Sequence, residues 1–376
     1  MKRFKKAVIL GTIAAMIFSM TAVTSFAKEK PVISVDGKTV SFQSSEGTPF
    51  IDSANRTQVP IRAFAESLGA DVAWDGPSQT ATIDKNIKIK VGSAEIATAY
   101  GTIKMDTKAV NKSGRIYVPA RYVANALGFD IESTSKSGAV TANVVTKVEL
   151  TVSAAASLKD AMGEIQTLYK KDKPNATVNI SFGGSGTLQQ QIEQGAPVDL
   201  FFSAAKSNMT ALKDKNLLDN DTIKNLLQNK LVLVVPSDST AKIDSFADVK
   251  GSTIKKVALG EPKTVPAGKY AEQVFTYYKV LDEVKAKTVY AKDVREVLTW
   301  VESGNVDAGV VYSTDAKTSD KVKVICTAAE DSHDKIVYPA AVIKSTKHSA
   351  ASKDFLNFMS SDAAKAVFVK YGFTVL

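Results

Sequence analysis

One pattern occurs twice in the first half of the chain. Arg56, Val59, Pro60, Arg62, Ala65, Leu68, Gly69 and Asp71 return as Arg115, Val118, Pro119, Arg121, Ala124, Leu127, Gly128 and Asp130, every pair offset by 59. Self-similarity at a fixed offset marks a structural unit used twice, which constrains the fold before any single residue does. Each copy reads RxxVPxR, then a short helical pattern ending in LG, then a strand, at 71–74 in the first copy and 130–132 in the second. Proline after a strand residue keeps the chain extended. Ala and Leu at helical spacing give one apolar face, and glycine closes the helix in a left-handed conformation that other residues resist. Between the copies, 87–91 alternates as IKIKV and 102–105 follows as a second strand, so the unit is a small α+β repeat domain rich in hairpins.

This region, about 31–145, resembles the domain found at the N-terminus of some copper amine oxidases and reused as a stalk in secreted proteins. The resemblance implies architecture only. Oxidase chemistry needs a cluster of metal-binding histidines and a cofactor-forming tyrosine. The chain has two histidines, His333 and His348, both outside the region.

The first 27 residues read as a secretory signal. Four positive charges lie in 1–6, residues 7–23 are almost wholly apolar, and Ser25 and Ala27 are small residues at the spacing a signal peptidase reads. No other stretch approaches the eighteen or so apolar residues of a spanning helix, so a transport role needs a separate membrane partner. Of 48 Lys+Arg, four lie in the signal, leaving 44 against 39 Asp+Glu. These charges form no run of like sign, hence no nucleic-acid footprint. The only cysteine, Cys326, sits in the apolar run 322–327 and reads as a small buried hydrophobe. No cysteine stands near Ala27 to carry a lipid anchor. The expected organisation is a signal peptide at 1–27, the stalk domain at 28–146 and a larger domain at 147–376. The protein is expected to be secreted, extracytoplasmic and held at the cell wall or surface through the N-terminal domain.

From 148 the pattern becomes strands followed by helices. Strands read at 148–153, 178–182, 199–203, 230–235, 257–260 and 308–312. Helices read at 158–169, with apolar Leu158, Met162, Ile165 and Leu168, and at 187–194. Such alternation indicates α/β. Along it run AAASL (154–158), GTLQQQIEQGAPVDLFFSA (186–204), GEPKTVPAGKYA (260–271), KDVREVL (292–298), GVVYSTDA (309–316), EDSH (330–333), YPAAV (338–342) and YGFT (371–374). In this order the set resembles the periplasmic-type molybdate-binding proteins over the whole of 148–376. The resemblance implies a type II, two-lobed periplasmic-binding-protein fold that closes on a tetrahedral oxyanion held by neutral donors. Lobe one is expected at 148–229 plus 339–376, and lobe two at 230–338.

The same resemblance implies Ser157, Ser185, Ala267, Val294 and Tyr312 as the molybdate-binding residues. Locally, Ser157 stands where a strand meets an amphipathic helix, whose free N–H groups and dipole favour an anion. Taken alone it is equally an ordinary serine cap. Ser185 lies in SFGGSGTL, a glycine-rich turn before a second helix, where backbone can approach a bound group closely. Gly184 and Gly186 stand where the family usually carries more serines. Ala267 follows Pro266, which suits a helix start, and would act through its main-chain N–H. Val294 would act likewise, its plainer reading being a core contact. Tyr312 ends the strand GVVY, and its phenol could donate to an oxygen.

A cage of donors favours a fully ionised dianion over a protonated phosphate, which also needs an acceptor. Sulfate has the charge and shape of molybdate, so only cavity size separates them, and tungstate is nearly equivalent. No cofactor and no direct cation site is expected. The two histidines lack ligand spacing and no nucleophile is paired with a base, so the chain is expected not to be an enzyme. The expected function is capture of molybdate or tungstate, as a monomer, for the permease of an ABC transporter. The alternative is a wall-associated structural protein with a different or lost anion ligand.

Overall fold

The computed structural model describes residues 30–99, 101–136 and 139–376. The expected signal peptide lies outside the described residues. In the N-terminal region the strands Thr57–Pro60 and Arg115–Pro119 pair antiparallel with Val59 opposite Val118. The two copies therefore meet at their own equivalent residue, about a local twofold axis. Each strand runs directly into a helix, Ile61–Ser67 or Ala120–Ala126, with Pro60 or Pro119 extended at the cap. Gly69 and Gly128 follow at φ +84° and +81°, the left-handed closure expected of them. Val59, Phe64, Ala65, Val118, Val123 and Ala124 from both copies form one buried core.

After their helices the copies diverge. The first leads into a five-stranded antiparallel meander, Val72–Asp75, Thr80–Ile83, Ile87–Lys90, Glu95–Thr98 and Gly101–Lys104. The second leads into Asp130–Lys136, which pairs with Ala139–Val145 and joins a sheet with Val32–Val35 and Lys38–Thr39. Thr80–Ile83 (TATI) and Glu95–Thr98 (EIAT) have no counterpart among the strands expected from sequence, because Ala and Thr give little polarity contrast between the two faces.

The C-terminal portion contains β1 (Val148–Ala155), α1 (Lys159–Asp172), β2 (Ala176–Gly183), α2 (Ser185–Glu193), β3 (Leu200–Phe202), β4 (Lys224–Gln228) and β5 (Leu231–Pro236). Then come β6 (Val257–Gly260), α3 (Pro266–Tyr277), β7 (Thr288–Ala291), α4 (Val294–Glu302), β8 (Ala308–Tyr312), β9 (Val322–Thr327), β10 (Val337–Val342), α5 (Ser349–Phe358) and β11 (Thr374–Val375). Two sheets result, ordered β2-β1-β3-β10-β4-β11 and β7-β6-β8-β5-β9. They are the sheets of the two lobes. In the first, β2, β1 and β3 run parallel, and α1 packs on that layer through Met162, Ile165 and Tyr169. The chain crosses between lobes at 229–230 and again at 328–336. Because β10 pairs with β3 and β4, Tyr338 belongs to lobe one. The expected boundary at 338/339 therefore shifts towards the N-terminus, since the strand YPAAV is kept whole by its ladder.

Two residues, Thr146 and Lys147, separate the N-terminal sheet from β1. Thr146 donates from its N–H and its hydroxyl to Asp36 (2.9 and 2.6 Å). Further along, Asp130 accepts from the Ala350 N–H (3.0 Å) at the start of α5, and Lys173 donates to the Leu127 carbonyl (3.4 Å). The N-terminal domain thus caps a helix of lobe one with its own carboxylate. Among the described residues no helix is long and apolar enough to cross a membrane.

Candidate functional site

The loops at the C-terminal ends of β1, β2, β6, β7 and β8 face one another between the lobes, where open α/β sheets carry their ligands. Four of the five residues expected at the site lie on these loops or on the first turn that follows, Tyr312 ends β8 itself, and all five are buried.

Ser157 sits in the 3₁₀ turn Ala156–Leu158 between β1 and α1. Its hydroxyl does not cap the helix but meets the Tyr338 hydroxyl at 2.9 Å. Ser185 is the first residue of α2, which starts two residues earlier than expected because extended Gly184 serves as the N-cap. Its Oγ accepts from the Ala204 N–H at 3.0 Å. That bond occupies an acceptor position of Ser185 and leaves its proton to point elsewhere.

Ala267 is the second residue of α3, after Pro266, so its N–H lies in the turn that lacks intrahelical acceptors. Val294 opens α4 under the N-cap Asp293, whose side chain accepts from the N–H groups of Arg295 and Glu296 (2.9 and 3.0 Å). The cap takes the second and third N–H groups and leaves that of Val294 for another acceptor. Tyr312 closes β8, and its phenolic oxygen is fully buried with no hydrogen-bond partner among the described residues. Burial first, then neighbouring Tyr338, Tyr270 and Asp315, push its pKa well above the ordinary tyrosine value, so it stays a protonated donor.

Contacts across the cleft bring these segments together. The Gly186 N–H donates to the Thr264 carbonyl (2.8 Å), joining the start of α2 to the loop before Ala267. A Cβ on Gly186 would lie 2.7 Å from the Thr264 Cα, and one on Gly184 would lie 2.9 Å from the Lys292 carbonyl oxygen. The glycines expected to admit a ligand to the backbone thus admit the backbone of the opposite lobe. Arg295 binds Asp160 of α1 (2.5 Å) across the cleft and Asp315 of its own lobe (3.3 Å). Since Asp160 follows Ser157 by three residues and Arg295 follows Val294 by one, this ion pair ties the two helix starts together. The Tyr312 and Tyr338 rings stack edge to face with centroids 5.9 Å apart.

Asp315 is fully buried, and burial drives its pKa up to about 7 although Arg295 opposes the shift. Among the described residues no group of three His, Cys, Asp or Glu could hold a metal ion. Sequence reasoning did not single out Thr264, Asn229, Tyr338 or the Arg295–Asp160 pair. Tyr338 and Arg295 do stand inside the motifs YPAAV and KDVREVL.

Two α/β lobes joined by two crossings, with buried donors converging from both, define a ligand-capturing clamp of the solute-binding class. Residues 150–374 match the model of the bacterial extracellular solute-binding protein family, and the chain belongs to that family. Residues 34–142 match the copper amine oxidase N-terminal domain. Among relatives, the chain is 48% identical over 228 residues to the Bacillus subtilis protein named "Putative ABC transporter substrate-binding lipoprotein YvgL", covering 61% of this chain and 87% of that one. It is 42% identical over 231 residues to the molybdate-binding protein ModA of Haemophilus influenzae, covering 60% of this chain and 90% of that one. Among solved structures, the periplasmic molybdate-binding protein of Azotobacter vinelandii superposes with a TM-score of 0.56 at 23% identity, over 60% of this chain and 99% of that one. That likeness shows the shared fold.

Proposed function

We propose that the chain captures molybdate or tungstate outside the membrane and hands it to the permease of an ABC importer. The ion would be held by the hydroxyls of Ser157, Ser185 and Tyr312 and the main-chain N–H groups of Ala267 and Val294. The observation that carries this reading is the polarity of the cage. Ser185 already accepts a backbone N–H, the Val294 N–H is the one its cap leaves over, and the Tyr312 phenol is a buried donor without a protein acceptor. Such a lining suits a dianion that only accepts hydrogen bonds. Hydrogen phosphate brings a proton that needs an acceptor, and burying it unpaired costs about 1–3 kcal/mol. The ModA relatives, named for molybdate binding, support the choice of ion.

Isothermal titration of the ion-stripped protein tests the proposal. Molybdate and tungstate should bind with measurable heat and phosphate should not. At a hundredfold excess over the dissociation constant, molybdate should stabilise the fold by ~3 kcal/mol. No heat with either oxo-ion overturns it. For residues 28–146 we propose a stalk that holds the binding unit at the cell wall. Equal release of the chain into the medium with and without that segment would refute this.

A further inference from the structure

We propose that Asn229, acting through Tyr338, is a positioning residue that fixes the direction of the Ser157 hydroxyl and makes it a donor only. The inference rests on the anion-binding reading above and assigns that site its source of polarity. Asn229 lies at the first crossing between the lobes, immediately after β4. Its amide orientation is set by a group that can only donate, because the Lys230 backbone N–H reaches Asn229 Oδ1 at 2.8 Å. The Ser313 hydroxyl donates to the same oxygen at 3.1 Å. The two Nδ2 protons therefore go to the Tyr338 oxygen (3.1 Å) and to Thr314 Oγ1 (2.8 Å).

The consequence passes along the chain of bonds. Tyr338 is buried, accepts from Asn229, lies at 2.9 Å from Ser157 Oγ, and faces the Tyr312 phenol, which is not at hydrogen-bond geometry. Ser157 Oγ is the acceptor at hydrogen-bond geometry, so the phenolic proton goes to it, since a buried O–H without an acceptor is costly. Ser157 Oγ then accepts from Tyr338, and its own proton is left to point into the cleft. Burial, the leading effect, pushes the Tyr338 pKa well above the ordinary value, so the relay keeps its proton through the physiological range.

Asn229 also couples this direction to lobe position. Ser313 and Thr314 directly follow Tyr312, so the same amide grips the donor-bearing end of β8 in lobe two and the hydroxyl chain of lobe one. Ser157 and Tyr312 are thus set by one side chain at the hinge.

Isosteric replacement inverts the relay. In Asn229→Asp a carboxylate replaces the Nδ2 donor, so Tyr338 turns its proton towards position 229 and accepts from Ser157. The serine then offers a lone pair to the anion. Titration with molybdate should show about a tenfold loss of affinity for Tyr338→Phe, where one oriented hydrogen bond is lost, and about a hundredfold loss for Asn229→Asp. In a Ser157→Ala background, Tyr338→Phe should cost less than twofold more and Asn229→Asp no more than fivefold more, because the hydroxyl they orient is absent. Thermal melting of each ion-free variant checks folding, and Tyr338→Phe should melt within a few degrees of the wild type. Equal losses with and without the Ser157 hydroxyl would overturn the relay while leaving molybdate binding standing. Absence of molybdate heat in the unsubstituted protein would instead overturn the reading on which the relay depends.

Discussion

Gly186→Ala separates closure from folding. Gly186 lies in the first turn of α2 at a negative φ, and its missing side chain faces Thr264 of the opposite lobe. An added Cβ would stand 2.7 Å from the Thr264 Cα and 2.9 Å from its carbonyl oxygen. Carbon atoms in contact sit about 3.5–4.0 Å apart, so lobe two must withdraw by roughly 1 Å at this point. The atoms met are backbone and cannot rotate away. Withdrawal also stretches the 2.8 Å bond from the Gly186 N–H to the Thr264 carbonyl. Overpacking of this kind costs about 1–3 kcal/mol, which corresponds to a roughly 5- to 150-fold loss of affinity for the captured ion.

With the lobes apart the same methyl group would meet no opposing lobe. There alanine is a better helix former than glycine by ~1 kcal/mol, so the ion-free protein should melt at or above the wild-type temperature. The two effects have opposite signs. Titration calorimetry with molybdate reads the first and differential scanning calorimetry of the ion-free protein reads the second. Wild-type affinity in Gly186→Ala would show that the lobes do not meet at this contact when the ion is bound.

Ser157→Ala and Ser185→Ala should each weaken molybdate binding about tenfold in the same titration, while the buried Tyr338 O–H and Ala204 N–H left without acceptors should cost the ion-free proteins about 1–3 kcal/mol without unfolding them. Asp315 has a folded pKa of about 7, raised chiefly by burial above its ordinary value. Its contribution favours folding at acid pH and is lost as pH climbs from about 4 to about 7, with a slope of at most about 1.4 kcal/mol per pH unit. Asp315→Asn should therefore flatten the urea-stability profile across that window, and an unchanged slope counts against the burial of that carboxyl. Asp130→Ala removes the cap on the Ala350 N–H, which should lower the stability of α5 by ~1 kcal/mol. Hydrogen exchange at Ala350 and Ala351 would show it as faster exchange in the variant.

Much of the architecture was legible because it is local. The strand-proline-helix-glycine order around Pro60 and Pro119 determines backbone angles within a few residues, and the structure carries them at Gly69 and Gly128 as expected. The alternation from 148 onwards likewise depends on periods of two and 3.6 that any short window reveals. The pairing of Val59 with Val118 was not legible, since a repeat announces two units but not the edge by which they join. The site divides in the same way. The helix starts after Ser157 and at Pro266 follow from local pattern, the one at Ser185 lies two residues before the place the pattern gives it, and the one at Val294 rests on the cap Asp293. What surrounds the Ser157 hydroxyl lies at Tyr338 and Asn229, far away in the chain and invisible to any window. Gly186 shows a subtler failure, for its residue type correctly signals close approach while saying nothing of what approaches.

The tether between the domains has a mechanical corollary. Asp130 and Leu127 grip the Ala350 N–H of α5 and Lys173, both on the lobe that carries Ser157 and Ser185, while Thr146, fastened to Asp36, stiffens the joint between. In the frame of the N-terminal domain that jaw is held, so a change in the width of the cleft is carried by the other. Any opening of the gap then reduces to the swing of a single leaf against its neighbour, with the held leaf keeping its heading.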